Sequence, residues 1–280
     1  MSPGPDRYAV LGHPIAHSLS PEIHHAFARA TGESISYQAI DVSPERFDDF
    51  WRHGEGRELR GANITLPLKV LARDLADRLS PAARETGSVN TLIPIRNGWY
   101  GDTTDGIGLI RDLDRLGWSL AARRILIIGA GGAGRGIAFP VARSGPRELV
   151  IANRTADRAQ QLADDLGRTG LTARGCGLDE LQNLEPVDGL LHASAAGHGG
   201  QLQLPVSLLQ VRTWCYDLSY GEAAQPFMRW AREAGATRVS DGLGMLVEQA
   251  AESFFLWRGV RPETAPVLAM LLAMLRDRSG

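Results

Sequence analysis

The chain has 280 residues, 22% of them charged and 44% hydrophobic, a globular balance that excludes a disordered chain. The net charge of −2 leaves no basic surplus for a nucleic-acid backbone, and the longest strongly apolar stretch, APVLAMLLAML from Ala265, is too short to span a bilayer. The two cysteines, Cys176 and Cys215, form no CxxC or zinc spacing, and the N-terminus carries no leader pattern, so a reducing cytoplasm and no metal are expected.

In chain order, RYAVL (7–11) reads as a strand and residues 21–31 as a helix, with Ser20 as N-cap and Pro21 in the first helical position. SISYQAIDV reads as a second strand and SPERFDDFWRHG as a short helix. GANITLP is strand-like and leads into a helix predicted over about 67–79. SVNTLIPIRNGWYGDTTD predicts a β-hairpin turning at Asn97 and Gly98, followed by a helix over about 106–116. Next come the strand RRILII, a glycine loop, a helix and the strand RELVIAN. A helix over 156–166 and strands near 187–193 and at WCYDL continue the alternation. The tail is helical over about 243–257 and again over about 264–276, the latter read as buried. Strands alternating with helices indicate parallel βαβ units and an α/β fold. The chain is expected to run through one domain, enter a second near Asp105 and return to the first near Asp241.

Gly129, Gly131 and Gly134 form GxGxxG directly after the apolar strand and at the start of a helix. Alone such a loop is common, but in that context it is the dinucleotide fingerprint: glycines let the backbone approach a pyrophosphate seated at the helix N-terminus. The tip of the following strand selects the dinucleotide. NAD enzymes usually place an acid there for the ribose 2′-hydroxyl. This tip carries Asn153, Arg154, Thr155 and, one turn on, Arg158. Two guanidiniums beside a hydroxyl and an amide attract a 2′-phosphate, so NADP is favoured. Solvated arginines would be the plainer reading, but cations at a helix N-terminus oppose its dipole.

The first half carries a second constellation. Ser18 and Ser20 precede a helix whose free N–H groups could seat a small anion; Ser20 by itself would read as a cap. Thr65 lies at a strand end, with Lys69 in the first turn of the next helix. Asp105 starts another helix, and Asn90 can both donate and accept hydrogen bonds to a polyol. Lys69 is the single lysine in a chain with 30 basic Lys and Arg residues. An arginine-rich coding bias explains the arginines and not the exception: lysine can release its proton where arginine cannot.

The motifs HPIAHSLSP, GANITLPLK, GSVNT, GDTTDG, GAGGAGRG, NRTADRA, YDLSY and DGLGMLVEQAA, in this order over about residues 8–251, resemble the shikimate dehydrogenase family. The resemblance implies reversible NADP-dependent reduction of 3-dehydroshikimate to shikimate, on the route to chorismate and the aromatic amino acids. It implies an N-terminal α/β substrate domain over 1–105, completed by C-terminal helices in 242–280, and a Rossmann-type NADP domain over 106–241. By the same resemblance Ser18 and Ser20 would hold the substrate carboxylate. Thr65, Lys69, Asn90, Asp105 and Gln249 would meet the ring hydroxyls, Tyr220 would close the pocket, and Lys69 and Asp105 would be the catalytic pair. Gly129, Ala130, Gly131, Gly132 and Ala133 would hold the pyrophosphate. Asn153, Arg154, Thr155 and Arg158 would hold the 2′-phosphate, and Leu218 and Gly242 would line the nicotinamide side.

Three segments depart from the family pattern. Ser88 stands where Ala is usual and Thr103 where Asn is usual. HASAAGHGG has His192, Ser194 and Ala195 where the family typically shows Asn-Ala-Thr-Ser, near the nicotinamide. The alternatives are a quinate/shikimate dehydrogenase using NAD and a non-catalytic metabolite-binding paralogue. Arg154 and Arg158 speak against NAD, and the presence of Lys69 and Asp105 speaks against the paralogue. The histidines His13, His17, His24 and His25 cluster in sequence, but Pro14 and Pro21 break any shared helical face and no carboxylates accompany them, so surface or loop histidines are expected. A monomer or homodimer acting on a small molecule completes the expectation.

Overall fold

The computed structural model describes residues 4–194 and 204–279, and the chain divides into two compact units: residues 1–108 with 247–280, and residues 109–246. The divisions fall within helices, a few residues beyond the boundaries at 105 and 242 read from the sequence.

The first unit opens with β1 (Asp6–Gly12), α1 (Ser20–Thr31), β2 (Ile35–Asp41), α2 (Phe47–Arg52), β3 (Ala62–Ile64) and α3 (Lys69–Leu75). It continues with β4 (Arg78–Leu79), α4 (Pro81–Thr86), β5 (Thr91–Ile95), β6 (Gly98–Asp102) and the start of α5 (Asp105–Arg115). The strands form one sheet in the order β2-β1-β3-β5-β6-β4. β1 lies parallel to β2 and β3, and β5 lies antiparallel to β3 and β6. The last five residues of β1 are buried, as suits a central strand covered on both faces.

Three local expectations are corrected. Ser20 is not the N-cap of α1: it is the first helical residue after Leu19, and the Ser18 hydroxyl accepts the Ser20 N–H at 3.3 Å. The helix after GANITLP ends at Leu75, not near 79, because residues 77–79 are drawn onto the sheet; Asp77 exchanges hydrogen bonds with the Trp99 backbone through its own N–H and its carboxylate, and β4 then pairs with β6. The hairpin turns at Arg96 and Asn97, with Gly98 at φ +134° as the first strand residue opposite Ile95.

The second unit is a parallel six-stranded sheet of β7 (Arg124–Ile128), β8 (Glu148–Asn153), β9 (Arg174–Gly177), β10 (Gly189–His192), β11 (Trp214–Asp217) and β12 (Arg238–Ser240). Its order, β12-β11-β10-β7-β8-β9, is the doubly wound arrangement of dinucleotide-binding units. The connecting helices include α6 (Gly132–Arg143), α7 (Ala156–Arg168) and α8 (Gln225–Glu233). Ile125 and Ile127 pack into the apolar layer on one sheet face while Leu126 and Ile128 pack into the other, which is why the strand reads as one continuous apolar run.

The tail forms α9 (Leu243–Arg258) and α10 (Ala265–Ser279). α10 is not a buried helix: Val267, Leu268 and Leu271 face inward, whereas Met270 and Leu272 are 36% and 42% exposed. Its apolar residues outnumber the positions one packed face can cover, so part of the stretch remains on the surface. No described helix is long and apolar enough to cross a membrane.

Candidate functional site

The sheet of the first unit gathers four chain segments at one edge. β1 and β3 end together at Leu11 and Ile64, β5 begins beside β3 at Thr91, and β6 ends opposite Thr91 at Asp102. The loops carrying Ser18, Thr65, Asn90 and Asp105 therefore leave from the same edge, where open α/β sheets place their ligands. The loops after β1 and β3 are stitched together: His13 N–H donates to the Leu66 carbonyl at 3.1 Å, and Thr65 N–H donates to Leu11 at 2.8 Å. A side chain at Gly12 would stand 2.5 Å from Thr65 Cγ2, so the close approach requires glycine there.

Four of the predicted residues share one hydrogen-bond network. Lys69 Nζ stands 2.5 Å from Asp105 Oδ2, and both side chains are largely buried. The other oxygen, Asp105 Oδ1, accepts from Asn90 Nδ2 at 2.9 Å. Asn90 Nδ2 also points at Gln249 Oε1, 3.2 Å away on α9, and at Thr104 Oγ1, 3.0 Å away. Asn90 Oδ1 accepts from the Thr104 backbone at 2.9 Å and the Thr91 hydroxyl at 2.8 Å. The Asn90 amide is thus locked in one orientation.

A supporting shell surrounds this network that sequence reasoning did not single out. Asn63 Nδ2 donates to Ser253 Oγ at 2.9 Å, Ser253 meets Thr91 at 2.8 Å, and Tyr37 donates to Asn63 Oδ1 at 2.8 Å. Burial pushes the Tyr37 phenol well above its ordinary pKa, opposed by the Ser20 hydroxyl. The available signals were local: Asn63 and Thr104 lie inside motifs already noted, and Ser253 is one helical turn beyond Gln249. Ser18 and Thr65 sit at the same edge and are half-buried. Tyr220 belongs to the second unit, where it precedes a 3-10 turn over Gly221–Ala224.

His24 departs from expectation. It is fully buried on α1, stacked on Tyr37 at 4.1 Å between ring centres, and neither ring nitrogen has a hydrogen-bond partner among the described residues. Desolvation lowers its pKa to about 3. His13 and His17 are exposed and His25 is half-buried. Among the described residues no group of His, Cys, Asp and Glu could hold a metal ion.

In the second unit, Gly129 has φ +112°, and a Cβ there would meet the Ala193 carbonyl at 2.7 Å. Gly134 packs its α-carbon on the Gly129 carbonyl, where a Cβ would collide. Gly131 and Gly132, by contrast, face open space. Gly131 is the N-cap of α6 and offers no side chain, so the first-turn N–H groups at Gly132 and Ala133 face an anion without a side-chain cap. The Asn153 side chain makes two contacts: its Oδ1 accepts Ala130 N–H at 3.2 Å, and its Nδ2 donates to the Thr155 carbonyl at 3.0 Å. It ties the strand tip to the glycine loop. Arg154, Thr155 and Arg158 are exposed, and neither arginine has a carboxylate partner among the described residues. Leu218 N–H donates to the His192 carbonyl at 2.9 Å, and Gly242 packs against the Leu218 carbonyl so closely that a Cβ would collide. The second unit thus has the loop, helix start and unpaired cations that a 2′-phosphorylated dinucleotide requires. Of the HASAAGHGG segment, Ala195 and the residues to 200 lie outside the described residues.

Three family profiles match. Residues 10–92 match the shikimate dehydrogenase substrate binding domain, residues 113–198 match shikimate / quinate 5-dehydrogenase, and residues 242–272 match the shikimate 5'-dehydrogenase C-terminal domain. The chain is 47% identical to shikimate dehydrogenase (NADP(+)) of Methylobacillus flagellatus, over 96% of this chain and 99% of that one. Among solved structures it is similar to the Ael1 enzyme from Pseudomonas putida, at 41% identity and TM-score 0.88, covering 95% and 98% of the two chains. It is also similar to shikimate 5-dehydrogenase from Thermus thermophilus in complex with NADP(H) and shikimate, at 34% identity and TM-score 0.80, covering 94% and 97%.

Proposed function

This chain belongs to the shikimate dehydrogenase family, and we propose that it is the NADP-dependent oxidoreductase that reversibly reduces 3-dehydroshikimate to shikimate in aromatic amino acid biosynthesis. The observation that carries the reading is the Lys69–Asp105 pair, held 2.5 Å apart and locked from the other side by Asn90.

NADP(H), when bound, would give the hydride in the reduction direction and take it up in the oxidation direction. Lys69 delivers a proton from Nζ to the carbonyl oxygen in the reduction direction and accepts it back in the oxidation direction. Asp105 keeps Nζ oriented through Oδ2. Thr65, Asn90, Asp105 and Gln249 receive the ring hydroxyls, and Asn90 gives up for this the bonds it now makes to Asp105 and Gln249. Ser18 and Ser20 receive the carboxylate, and Tyr220 closes the pocket. Gly129, Ala130, Gly131, Gly132 and Ala133 would cradle the pyrophosphate, and Asn153, Arg154, Thr155 and Arg158 would hold the 2′-phosphate, with Asn153 also tied to Ala130. Leu218 and Gly242 line the nicotinamide side.

Two buried, free cysteines support a cytoplasmic location, with the chain acting as a monomer or homodimer away from nucleic acid and membrane. Absorbance at the reduced-nicotinamide band, with shikimate or quinate and NADP or NAD in all four pairings, tests the function. Turnover confined to shikimate with NADP is the expected result. Comparable turnover with NAD overturns the cofactor reading, and silence in all four pairings overturns the enzyme.

A further inference from the structure

We propose that Ser194 is a cofactor-binding residue of this chain: its hydroxyl oxygen, oriented by His192 and Asp217, accepts a hydrogen bond from the nicotinamide-riboside half of NADP. The inference rests on the NADP reading above and assigns a role to Ser194, one of the residues at which the chain departs from the family pattern.

The chain of hydrogen bonds starts in the sheet. His192 ends β10 and pairs in register with Asp217 at the end of β11. Both side chains are buried, at 2% and 1% exposure, and the imidazole lies flat on Phe227, 4.8 Å between ring centres and 8° between planes. His192 Nδ1 stands 3.0 Å from Asp217 Oδ2, while Asp217 Oδ1 accepts the Ser219 N–H at 2.8 Å. A carboxylate so placed accepts on both oxygens, so Nδ1 carries the hydrogen toward it. In the neutral imidazole Nε2 keeps its lone pair and takes the hydrogen of the Ser194 hydroxyl, 2.7 Å away. The hydroxyl is thereby fixed as a donor inward, and its remaining lone pairs are offered outward as acceptors. A half-turn of the ring would break both the Asp217 and the Ser194 hydrogen bonds, so this polarity is built in.

The position of Ser194 says what it meets. β7 and β10 are neighbours at the point where the strand order reverses, and a dinucleotide lies across that crevice. Ala193 N–H donates to Ile128 at 2.7 Å, extending β10 beside the glycine loop. The space a Cβ of Gly129 would need is filled by the Ala193 carbonyl and, at 3.0 Å, by the Ser194 nitrogen. Arg154 and Arg158 follow β8, on one side of β7, whereas Ser194 follows β10, on the other. With the 2′-phosphate on the β8 side and the pyrophosphate at the loop, the β10 side receives the nicotinamide riboside. Its hydrogen-bond donors are the carboxamide NH2 and the ribose hydroxyls. Ser194 is half-buried, so its outward face is reachable.

Ser194→Ala tests the assignment. Its KM for NADP should rise roughly three- to tenfold, the worth of one hydrogen bond, with kcat within about twofold of wild type. Its affinity for adenosine 2′,5′-bisphosphate, which occupies only the adenosine half, should stay unchanged. The 3-acetylpyridine analogue of NADP lacks the carboxamide N–H. If the gap between wild type and Ser194→Ala closes with that analogue, the partner is the carboxamide; if it persists, the partner is a ribose hydroxyl. Equal NADP constants for the two proteins overturn the inference, as does an equal weakening toward the adenosine fragment, which marks a structural role. Titration with NADPH reads the same contrast without turnover, so a wild type inactive on shikimate defeats the reading above and leaves this one still decided by its own data.

Discussion

Lys69 and Asp105 are 36 positions apart in the chain and joined Nζ to Oδ2 at 2.5 Å, each standing at the first position of its own helix. The pair is mostly shielded from water, with side-chain exposures of 19% and 12%, so solvent screens it less than a surface ion pair. A lysine held in this way is placed for proton transfer and not for the packing of the core. Lys69→Ala should therefore reduce kcat for shikimate oxidation by roughly 10²- to 10⁴-fold, with KM for shikimate changed only a few-fold. Steady-state kinetics read both constants, and a kcat near wild type would remove Lys69 from the chemistry.

Arg154 and Arg158 have no carboxylate to neutralise them among the described residues, and Thr155 leaves the start of α7 without a side-chain cap. Replacing both arginines by alanine removes the charge-assisted bonds to a 2′-phosphate, each worth about 1.5–3 kcal/mol. KM for NADP should rise by about tenfold or more, and KM for NAD should barely move. A parallel rise in both constants would mean that the arginines do not read the phosphate.

The glycine loop makes a contrast within a single motif. At Gly134 a Cβ would collide with the Gly129 carbonyl, whereas at Gly132 it would meet nothing within 4 Å. Gly134→Ala should destabilise the second unit by about 1–3 kcal/mol, as overpacking does, and weaken NADP binding. Gly132→Ala should leave the melting temperature close to wild type. Thermal unfolding of the two variants side by side checks this, and equal melting temperatures would contradict the tight contact at Gly134.

His24 makes the first unit acid-sensitive. Its pKa in the fold is about 3, against 6.5 when solvated. Between those values the unfolded chain binds a proton that the folded chain refuses. The stability is therefore fully present above about pH 6.5 and is lost as the pH falls toward 3. At pH 5 the loss is about 2 kcal/mol. His24→Phe keeps the stack on Tyr37 and cannot titrate, so its urea midpoint should fall less between pH 7 and pH 5 than that of wild type. Identical pH dependence in the two proteins would assign the acid sensitivity to other groups.

The dinucleotide half of the protein is legible from the amino acids alone. Its information is local: an apolar strand, a glycine loop and a strand tip without an acid lie within one stretch, and each residue acts through its own backbone position. Lys69 is legible too, because a lone lysine among arginines stands out by composition. How the substrate-side residues combine is a matter of packing. Asn90 and Gln249 are 159 positions apart and meet because α9 packs where β5 and β6 open, a consequence of sheet register that no local pattern encodes. The same holds for His24, read as a surface or loop residue but buried among rings from α1, β2 and α9, and for α10, whose apolar run exceeds the surface it can cover. It holds as well for the Ser194–His192–Asp217 chain, which exists because parallel pairing sets His192 beside Asp217. Local periodicity specifies elements, whereas partners far apart in sequence are chosen by register and packing.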